Sequence, residues 1–290
     1  MKKKILISGA NGQLGNCINT NLSNYFNIIP SSLNPNIDSL KLDITNKLNV
    51  KSVLDRINPE IIINCAAITN VDLCERDRTL ARNVNCIGLQ NLVKYSKKNT
   101  KIIHFSSDYV FDGSKGCYVE EDPTSPVNFY GKTKLEAENF LIGCNRKSLI
   151  IRINGLYSSK LKNKNFFSFI YNSLNARKKI SVVNDQLSNP TLVDLLPEVV
   201  MKAILLDATG VVHYGSCNII SRYDFAKEIC NVFRLNFKLI EKISTHKLQQ
   251  LALRPLNTGL DTSKIENLLG INTYDTKYCL ELIKNKYVLK

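Results

Sequence analysis

The first half of the chain alternates short apolar runs with amphipathic stretches. The apolar runs cover residues 3–9, 26–32, 60–67, 100–107 and 148–154. Between them, apolar residues recur at helical spacing over 13–24, 46–57, 77–98 and 131–144. Strands that alternate with helices form parallel sheets, and continuous apolar runs suit strands that are buried on both faces. We therefore predict an α/β fold with a Rossmann-like, doubly wound parallel sheet.

The pattern becomes less regular after about residue 155. Helices are predicted within 163–180, 192–207 and 221–233, and a strand over 210–216. We predict a dinucleotide-binding Rossmann domain over 1–155. Residues 156–290 are predicted to form mainly a smaller, mixed α/β substrate-binding lobe, with some segments returning to the first domain.

The predicted topology also locates the ligand. Ligands of such sheets bind at the carboxyl ends of the strands. One crevice should therefore be shared by the loops at 9–15, 31–34, 66–72, 107–113 and 154–165.

Composition narrows the class of protein. The chain has 290 residues, of which 44% are hydrophobic, as in a globular protein. Its apolar runs are too short for a membrane span, and the basic start is followed at once by a glycine turn, unlike a signal peptide. The nine cysteines form no C-x-x-C pair, which predicts reduced thiols and a cytoplasmic location.

A high positive charge is typical of nucleic-acid-binding proteins, but the rest of the sequence does not support that class. The formal net charge is +14, but the lysines are spread along the chain without an aromatic-rich basic stripe. We predict no nucleic-acid binding, and expect the positive charge to attract a phosphorylated substrate. The oligomeric state is left open between monomer and homodimer.

A glycine-rich turn joins the first strand to the first helix. In "GANGQLG", Gly9 permits a tight turn, Gly12 lets the backbone approach a pyrophosphate, and Gly15 allows close helix packing. The spacing is G-x-x-G-x-x-G, which differs from the commonest dinucleotide fingerprint. Its place in a strand–turn–helix unit nevertheless predicts a bound dinucleotide.

The second strand bears on the choice of cofactor. An acid at its end would favour NAD, but Ser31 and Ser32 stand there, and no arginine follows to mark NADP. We predict NADPH or NADH, leaning to NADPH or dual use. Asp43 either touches adenine or caps a simple turn. The predicted cofactor-binding residues are Gly9, Asn11, Gly12, Gln13, Leu14, Gly15, Ser32, Asp43, Ile44, Ala66, Ala67, Ile68, Tyr130 and Lys134.

Three residues form a candidate catalytic group. Tyr130 and Lys134 are four residues apart and share one face of a predicted helix. An ammonium group beside a phenol lowers the pKa of the phenol, so Tyr130 is a plausible general acid or base. Ser107, at the end of the strand over 100–107, can hydrogen-bond a substrate oxygen beside Tyr130.

These motifs resemble those of a known family. "GANGQLG", "INCAAITNVDLCE", "SSDYVFDG", "DPTSPVNFYGKTKLEAE", "VVNDQLSNPT" and "RPLNTGLDTSKI" span residues 5 to about 265. The chain resembles the extended short-chain dehydrogenases/reductases, and among them the dTDP-4-dehydrorhamnose reductase family. "SxDYVFDG" and "NDQxxxPT" are far more specific to that family than the glycine turn.

The resemblance implies an activity. In that family NAD(P)H gives a hydride to the C4 ketone of a nucleotide-linked 4-keto-6-deoxy sugar, which here implies reduction of dTDP-4-dehydrorhamnose to dTDP-L-rhamnose. By resemblance Tyr130 is the acid, Lys134 its partner and ribose anchor, and Ser107 the ligand of the carbonyl. Asp108 would bind sugar hydroxyls.

The resemblance also implies a nucleotide-sugar pocket. The segment Lys164, Asn165 and Phe166 and the turn at 184–186 should line it, although capping of loops is an equally good interpretation of Asn165 and Gln186. Arg254 is expected to meet the diphosphate.

Three positions separate the chain from its relatives. Related 4,6-dehydratases carry an Asp-Glu pair where Asp108 is here followed by Tyr109, which favours reduction without elimination. Gly155 stands where the family has a tryptophan that packs on the sugar, so the natural sugar is open to question. Cys17 replaces an acid that binds magnesium in some members, and we predict no metal.

Two other functions remain open. The first is a 4-keto-reductase for a different nucleotide-linked deoxysugar, because the tryptophan is missing. The second is a non-catalytic, NADP-binding regulatory subunit, since the regulatory partner of methionine adenosyltransferase has a similar fold. The intact Ser107, Tyr130 and Lys134 count against the second.

Overall fold

Seven parallel strands form the central sheet of the protein, which a computed structural model describes over residues 2–160 and 165–288. Two small pairs of strands lie outside that sheet. The strands are β1 (Lys4–Ser8), β2 (Asn27–Ser32), β3 (Leu40–Lys41), β4 (Ile61–Asn64), β5 (Lys101–Ser107), β6 (Ser148–Ile153), β7 (Ile180–Val183), β8 (Leu187–Ser188), β9 (Gly210–Tyr214), β10 (Ile220–Ser221) and β11 (Ile240–Ile243).

The order of the strands is that of a doubly wound sheet. It runs β3-β2-β1-β4-β5-β6-β9, and every neighbouring pair is parallel. The chain passes outward from β1 in one direction and then returns to add β4 on its other side. This reversal opens a crevice at the carboxyl ends of β1 and β4. The predicted fold class is confirmed.

Helices cover both faces of the sheet. They are α1 (Gln13–Leu22), α2 (Lys47–Ile57), α3 (Val71–Arg76), α4 (Arg78–Arg82), α5 (Gly88–Tyr95), α6 (Phe129–Gly143), α7 (Phe166–Asn175), α8 (Leu196–Leu205), α9 (Arg222–Phe233), α10 (Ser263–Leu269) and α11 (Thr276–Val288). Side chains of α1 and α8 share one apolar core with the sheet, and those of α2, α5 and α6 share the other. Within the described residues, no helix is long and apolar enough to cross a membrane.

The stretch of helical spacing at 77–98 is divided into several helical segments. Asp77 ends α3 and caps α4, accepting the N–H of Leu80 at 2.9 Å. A π-helical segment, Asn83–Ile87, then leads into α5. Asn85 lies within it, and its amide donates to the hydroxyl of Thr133 on α6 at 3.0 Å. A long-range polar contact therefore accompanies an irregular turn that local apolar spacing does not reveal.

The later part of the chain builds a second layer beyond the crevice. β7 pairs in parallel with β11, and β8 pairs antiparallel with β10. The helices α7, α9 and α11 enclose an apolar cluster that includes Tyr157, Phe167, Phe225 and Leu280. β9 joins the edge of the large sheet next to β6, and α8 packs against α1. Several segments after residue 155 therefore belong to the sheet layer.

Candidate active site

A cavity of about 420 Å³ lies at the carboxyl ends of the central strands, between the two layers. It is lined by the ends of β4, β5 and β6, by the start of α1 and by residues of the second layer. The predicted site residues that line it are Gly12, Gln13, Leu14, Ala66, Ala67, Ser107, Asp108, Tyr130, Lys134, Asn165 and Gln186. The other predicted residues lie outside this lining.

The glycine turn is packed too closely for side chains. Gly9 has φ +75°, and a Cβ there would lie 2.7 Å from the backbone nitrogen of Ala66. A Cβ on Gly15 would lie 2.4 Å from the carbonyl oxygen of Gly9. α1 begins after Gly12, which has no side chain to cap the helix, and no acidic residue occupies its first turn. The N–H groups and positive end of α1 are therefore available to a phosphate.

The end of β2 lies beside this turn. The N–H of Ala10 donates to the carbonyl of Ser31 at 2.9 Å, and the Asn11 amide donates to the carbonyl of Asn34 at 2.6 Å. The Ser32 hydroxyl is buried and has no hydrogen-bond partner in the described part of the chain. An unpaired buried hydroxyl beside a phosphate-binding turn fits the ribose of a dinucleotide. The 31–34 loop borders the glycine turn but does not line the cavity.

Three residues predicted to bind the cofactor lie outside the cavity and contact other parts of the protein. The Asp43 carboxylate accepts the N–H and the hydroxyl of Thr45, at 2.9 and 2.7 Å, as the turn interpretation required. The side chain of Ile44 is buried and lies where a Cβ on Gly88 would be. The N–H of Ile68 donates to Asn85 at 2.8 Å. None of Asp43, Ile44 and Ile68 lines the cavity.

Ser107 and Tyr130 meet inside the cavity. Ser107 ends β5, and its Oγ accepts the N–H of Tyr109 at 3.2 Å, which caps the turn that follows. Tyr130 opens α6, whose start is fixed by Asn128 accepting the N–H of Gly131 at 2.9 Å. The Ser107 hydroxyl acts to lower the pKa of Tyr130, as expected of two side chains that lie close together. A strand end and a helix start thus place two hydroxyls side by side.

The expected effect of Lys134 on Tyr130 was wrong for the free protein. Burial raises the pKa of Tyr130 above its usual value, and the influence of the neighbouring Ser107 side chain offsets this only in part. The Lys134 amine donates to the carbonyl of Phe105 at 2.7 Å, and burial lowers the pKa of Lys134 to about 8. Tyr130 therefore keeps its proton at neutral pH, as a proton donor must.

Asp108 follows Ser107 and is buried beside it. Its carboxylate accepts hydrogen bonds from Ser107, at 2.9 Å, and from Thr258. Burial raises the pKa of Asp108 to about 6, although both hydrogen bonds and the charge of Arg222 act in the opposite direction. Both carboxylate oxygens have partners, so Asp108 holds the wall of the cavity together.

The outer wall combines capping with cavity lining. Asn165 caps α7 by accepting the N–H of Ser168 at 3.0 Å, and its amide donates to Gln13 of the glycine turn at 3.0 Å. Gln186 accepts from Nε of Arg222 at 2.9 Å and donates to Thr245 at 3.1 Å. Asn165 is therefore a cap, whereas the Gln186 side chain bonds to two other side chains, and both residues line the cavity.

Two predicted substrate residues lie behind the wall. Phe166 stacks on Phe225 and lies under the guanidinium of Arg222, 5.3 Å from the ring centroid. Arg254 does not line the cavity, because it forms an ion pair with Asp72 at 3.1 Å. Lys164, which the sequence placed in the same pocket, lies outside the described residues.

Comparison with known proteins gives the geometry its context. The family model described as the RmlD substrate binding domain matches residues 2–288. The dTDP-4-dehydrorhamnose reductase of Aggregatibacter actinomycetemcomitans is 33% identical over 296 aligned positions, covering 97% of this chain and 98% of the relative. The chain belongs to the dTDP-4-dehydrorhamnose reductase family.

Solved structures of this family have the same fold. The dTDP-4-dehydrorhamnose reductase of Clostridium acetobutylicum superimposes with a TM-score of 0.89 at 36% identity, covering 98% of this chain and 99% of that one. The Bacillus anthracis enzyme, solved in complex with NADP, gives 0.90 at 32% identity, covering 99% and 100%. Family membership thus extends over both layers and the cavity between them.

Two departures from the family pattern can now be located. Gly155 lines the cavity with φ +49°, and a Cβ there would meet Pro190 at 3.4 Å, an ordinary contact distance. Cys17 is partly buried on α1, with its thiol 3.5 Å from the carbonyl of Val193. No group of three or more potential metal ligands occurs in the described ranges 2–160 and 165–288.

Sequence reasoning missed one charged residue of the family site. Arg222, the first residue of α9, lines the cavity and is fixed there by Gln186 and Phe166. Its only local signal was the cap Ser221 before a helical pattern, which positions α9 but does not show what its first residue faces. Thr258 was missed in the same way.

Proposed function

We propose that this chain reduces the C4 ketone of dTDP-4-dehydrorhamnose to the alcohol of dTDP-L-rhamnose, using NADPH or NADH. The observation that carries the proposal is that Ser107, Tyr130 and Lys134 line one cavity at the carboxyl ends of the strands, in a chain of this family. We place the reaction in the cytoplasm, where such thiol-rich proteins remain reduced.

The glycine turn suits the cofactor. Gly9, Gly12 and Gly15 leave the backbone of the turn bare, and the start of α1 offers N–H groups to a pyrophosphate. Ser32, at the end of β2, would face the adenosine ribose, with no carboxylate to repel a 2′-phosphate. When bound, the nicotinamide supplies the hydride. The Bacillus anthracis relative was solved with NADP, which supports our preference for NADPH.

Tyr130 would donate the proton. As the C4 oxygen gains negative charge, the hydroxyls of Ser107 and Tyr130 would hold it by hydrogen bonds, and the phenol proton would pass to that oxygen. The raised pKa of Tyr130 keeps the proton in place until the alkoxide forms. Lys134 would then face the phenolate. With a pKa of about 8 it is still mainly an ammonium group at neutral pH, and that charge would stabilise the phenolate.

The diphosphate of the substrate needs a cation, and Arg222 meets that need better than Arg254. Arg222 lines the cavity, and its guanidinium forms no ion pair with a carboxylate among the described residues. The guanidinium of Arg254 is already paired with Asp72. We therefore assign the diphosphate contact to Arg222, since a guanidinium can hold two oxygens at once.

A second substrate remains a candidate because of Gly155. The cavity wall at this position carries no side chain, and a Cβ could be added without a clash. The alternative substrate is therefore a different nucleotide-linked 4-keto-deoxysugar. The reaction and its residues would be the same.

The test is turnover of purified protein. NADPH and NADH oxidation is followed with dTDP-4-dehydrorhamnose and with GDP- and UDP-linked 4-keto sugars. We expect the dTDP sugar to be reduced fastest. Tyr130→Phe should lower kcat by roughly 10²- to 10⁴-fold and leave NADPH binding intact, because only the proton donor is removed. Tight cofactor binding without turnover of any sugar would contradict the reductase and favour a regulatory subunit.

A further inference from the structure

A chain of buried polar side chains crosses the sheet behind the cavity and ends on Lys134. It joins Ser8 on β1, Asn64 on β4, His104 on β5 and Lys134 on α6. Their relative exposures are 1%, 1%, 1% and 2%. The proposed reaction gives no role to Ser8, Asn64 or His104. Polar groups this deeply buried between apolar strands are costly unless each hydrogen bond has a defined direction.

The direction of the hydrogen bonds in this series of side chains can be read from a backbone N–H group. The N–H of Ala66 can only donate, and it donates to Oδ1 of Asn64 at 3.3 Å. The Ser8 hydroxyl donates to the same oxygen at 2.7 Å. The amide nitrogen of Asn64 must then face His104, where it lies 3.2 Å from Nδ1. Nδ1 is therefore the acceptor of the imidazole ring.

This assignment fixes the tautomer of His104. Burial keeps the pKa of His104 well below its usual value, so the ring is neutral and carries one proton. Because Nδ1 accepts, that proton is on Nε2, which lies 3.4 Å from the Lys134 amine. An N–H that points at an amine is favourable when the amine accepts, and unfavourable when the amine is an ammonium group. The carbonyl of Phe105 still accepts from Lys134 at 2.7 Å.

We propose that His104 is a positioning residue for Lys134, and that the Asn64–His104 chain holds the lysine in place and favours its neutral amine in the free protein. The importance of this role for catalysis rests on the proposed function. The inference itself concerns only the tautomer of His104 and the protonation of Lys134, and both exist without substrate.

Among the other groups around Lys134, the nearest anion is already paired with an arginine. The thiols of Cys65, Cys74 and Cys86 face it from the end of β4, from α3 and from the π-helical segment, and burial raises the pKa of each of them. They are neutral at neutral pH. Glu138, one turn along α6, acts to raise the pKa of Lys134, but its carboxylate is shared with Arg152 in a buried ion pair at 2.7 Å, and burial of Lys134 outweighs it.

Two NMR measurements on the cofactor-free protein test the proposal. Long-range ¹⁵N–¹H correlation spectra, with His104 assigned by its loss in His104→Phe, should show the Nε2–H tautomer. A ¹³Cε titration of Lys134, assigned by Lys134→Met, should give a midpoint below that of the surface lysines. An Nδ1–H tautomer, or a Lys134 midpoint among those of the surface lysines, would overturn the proposal.

Asn64→Asp tests the direction of the chain. Its second carboxylate oxygen demands a proton on Nδ1, so His104 should switch tautomer and the Lys134 midpoint should rise by about one pH unit or more. In the double variant Asn64→Asp/His104→Phe the rise should be smaller, because the ring no longer relays the change. An equal rise in both would mean that the new charge acts directly on Lys134, and would overturn the role of His104.

Ser8→Ala is the matched control. It removes the hydrogen bond that the Ser8 hydroxyl donates to Oδ1 of Asn64. The N–H of Ala66 still donates to that oxygen and orients the amide. The tautomer and the Lys134 midpoint should not change. If these NMR results hold but the protein reduces no sugar, the proposed function fails and the positioning role stands.

Discussion

At the scale of single residues, the site depends on which charges are already paired. Arg254 and Asp72 neutralise each other at the edge of the cavity, whereas Arg222 is held by the neutral Gln186 and by the ring of Phe166. A cation held in place by neutral groups keeps its charge for an anionic ligand. The two arginines should therefore respond differently to the same substitution.

Arg222→Met should raise the KM for the nucleotide sugar by roughly ten- to a hundred-fold, since hydrogen bonds to charged groups contribute about 1.5–3 kcal/mol. The Kd for NADPH should change little. Arg254→Met is the control of equal size, and it should lower the free energy of unfolding while changing KM less. Equal KM effects of the two substitutions would contradict the assignment. Steady-state kinetics and urea denaturation give both values.

Asp108 gives a prediction about pH. Its pKa in the folded protein is about 6, above the ordinary 3.8, so the folded state holds this proton more tightly than the unfolded state. The contribution of Asp108 to stability should therefore fall as pH rises from about 4 to about 6. Because one pKa unit corresponds to about 1.4 kcal/mol, the fall is at most roughly 3 kcal/mol.

The measurement compares wild type with Asp108→Asn by urea denaturation at several pH values. The stability of wild type relative to the variant should decline across that window and level off above it. A difference that stays constant with pH would show that Asp108 titrates in the folded protein as it does in the unfolded chain.

At the scale of elements, the start of α6 must lie close to the end of β5. Gly131 permits this close approach, because a Cβ at this position would lie 2.1 Å from the carbonyl oxygen of Tyr109. This close approach puts Tyr130 within reach of Ser107. The same helix ends at Gly143, where a Cβ would meet nothing within 4 Å.

The two glycines should therefore behave in opposite ways. Gly131→Ala must push α6 away from β5, and should cost about 1–3 kcal/mol of stability and at least ten-fold in kcat. Gly143→Ala should stabilise the protein by up to about 1 kcal/mol and leave kcat unchanged. Thermal unfolding and turnover of both variants check this. A Gly131→Ala protein with normal kcat would show that the approach is not needed.

The sequence predicts elements best where their signals are local. Asn46, Asn165 and Ser221 each accept a backbone N–H in the first turn of the helix that follows, and such caps are visible in the sequence. The π-helical segment at Asn83–Ile87 was missed, because its inward-facing Asn85 bonds to groups on other elements.

At the scale of the whole molecule, the doubly wound sheet could be predicted, since apolar runs and helical spacing recur in order. The positions of Ser107 and Tyr130 on their elements were also predicted, Ser107 from the end of an apolar strand and Tyr130 from its helical spacing to Lys134. Arg222 was not predicted, since its place in the cavity depends on a long-range contact in which its backbone N–H donates to the carbonyl of Gln186 at 3.0 Å. Arg254 was misplaced because sequence does not show its ion pair with Asp72.

The direct test of the central claim is transfer of deuterium. NADPH that carries deuterium at both positions of nicotinamide C4 is incubated with the protein and dTDP-4-dehydrorhamnose, and the product is examined by NMR and mass spectrometry. We predict one deuterium at sugar C4 with wild type, and almost none with Tyr130→Phe, which should still bind NADPH. Product without deuterium at C4, or equal labelling by the Tyr130→Phe variant, would contradict the account.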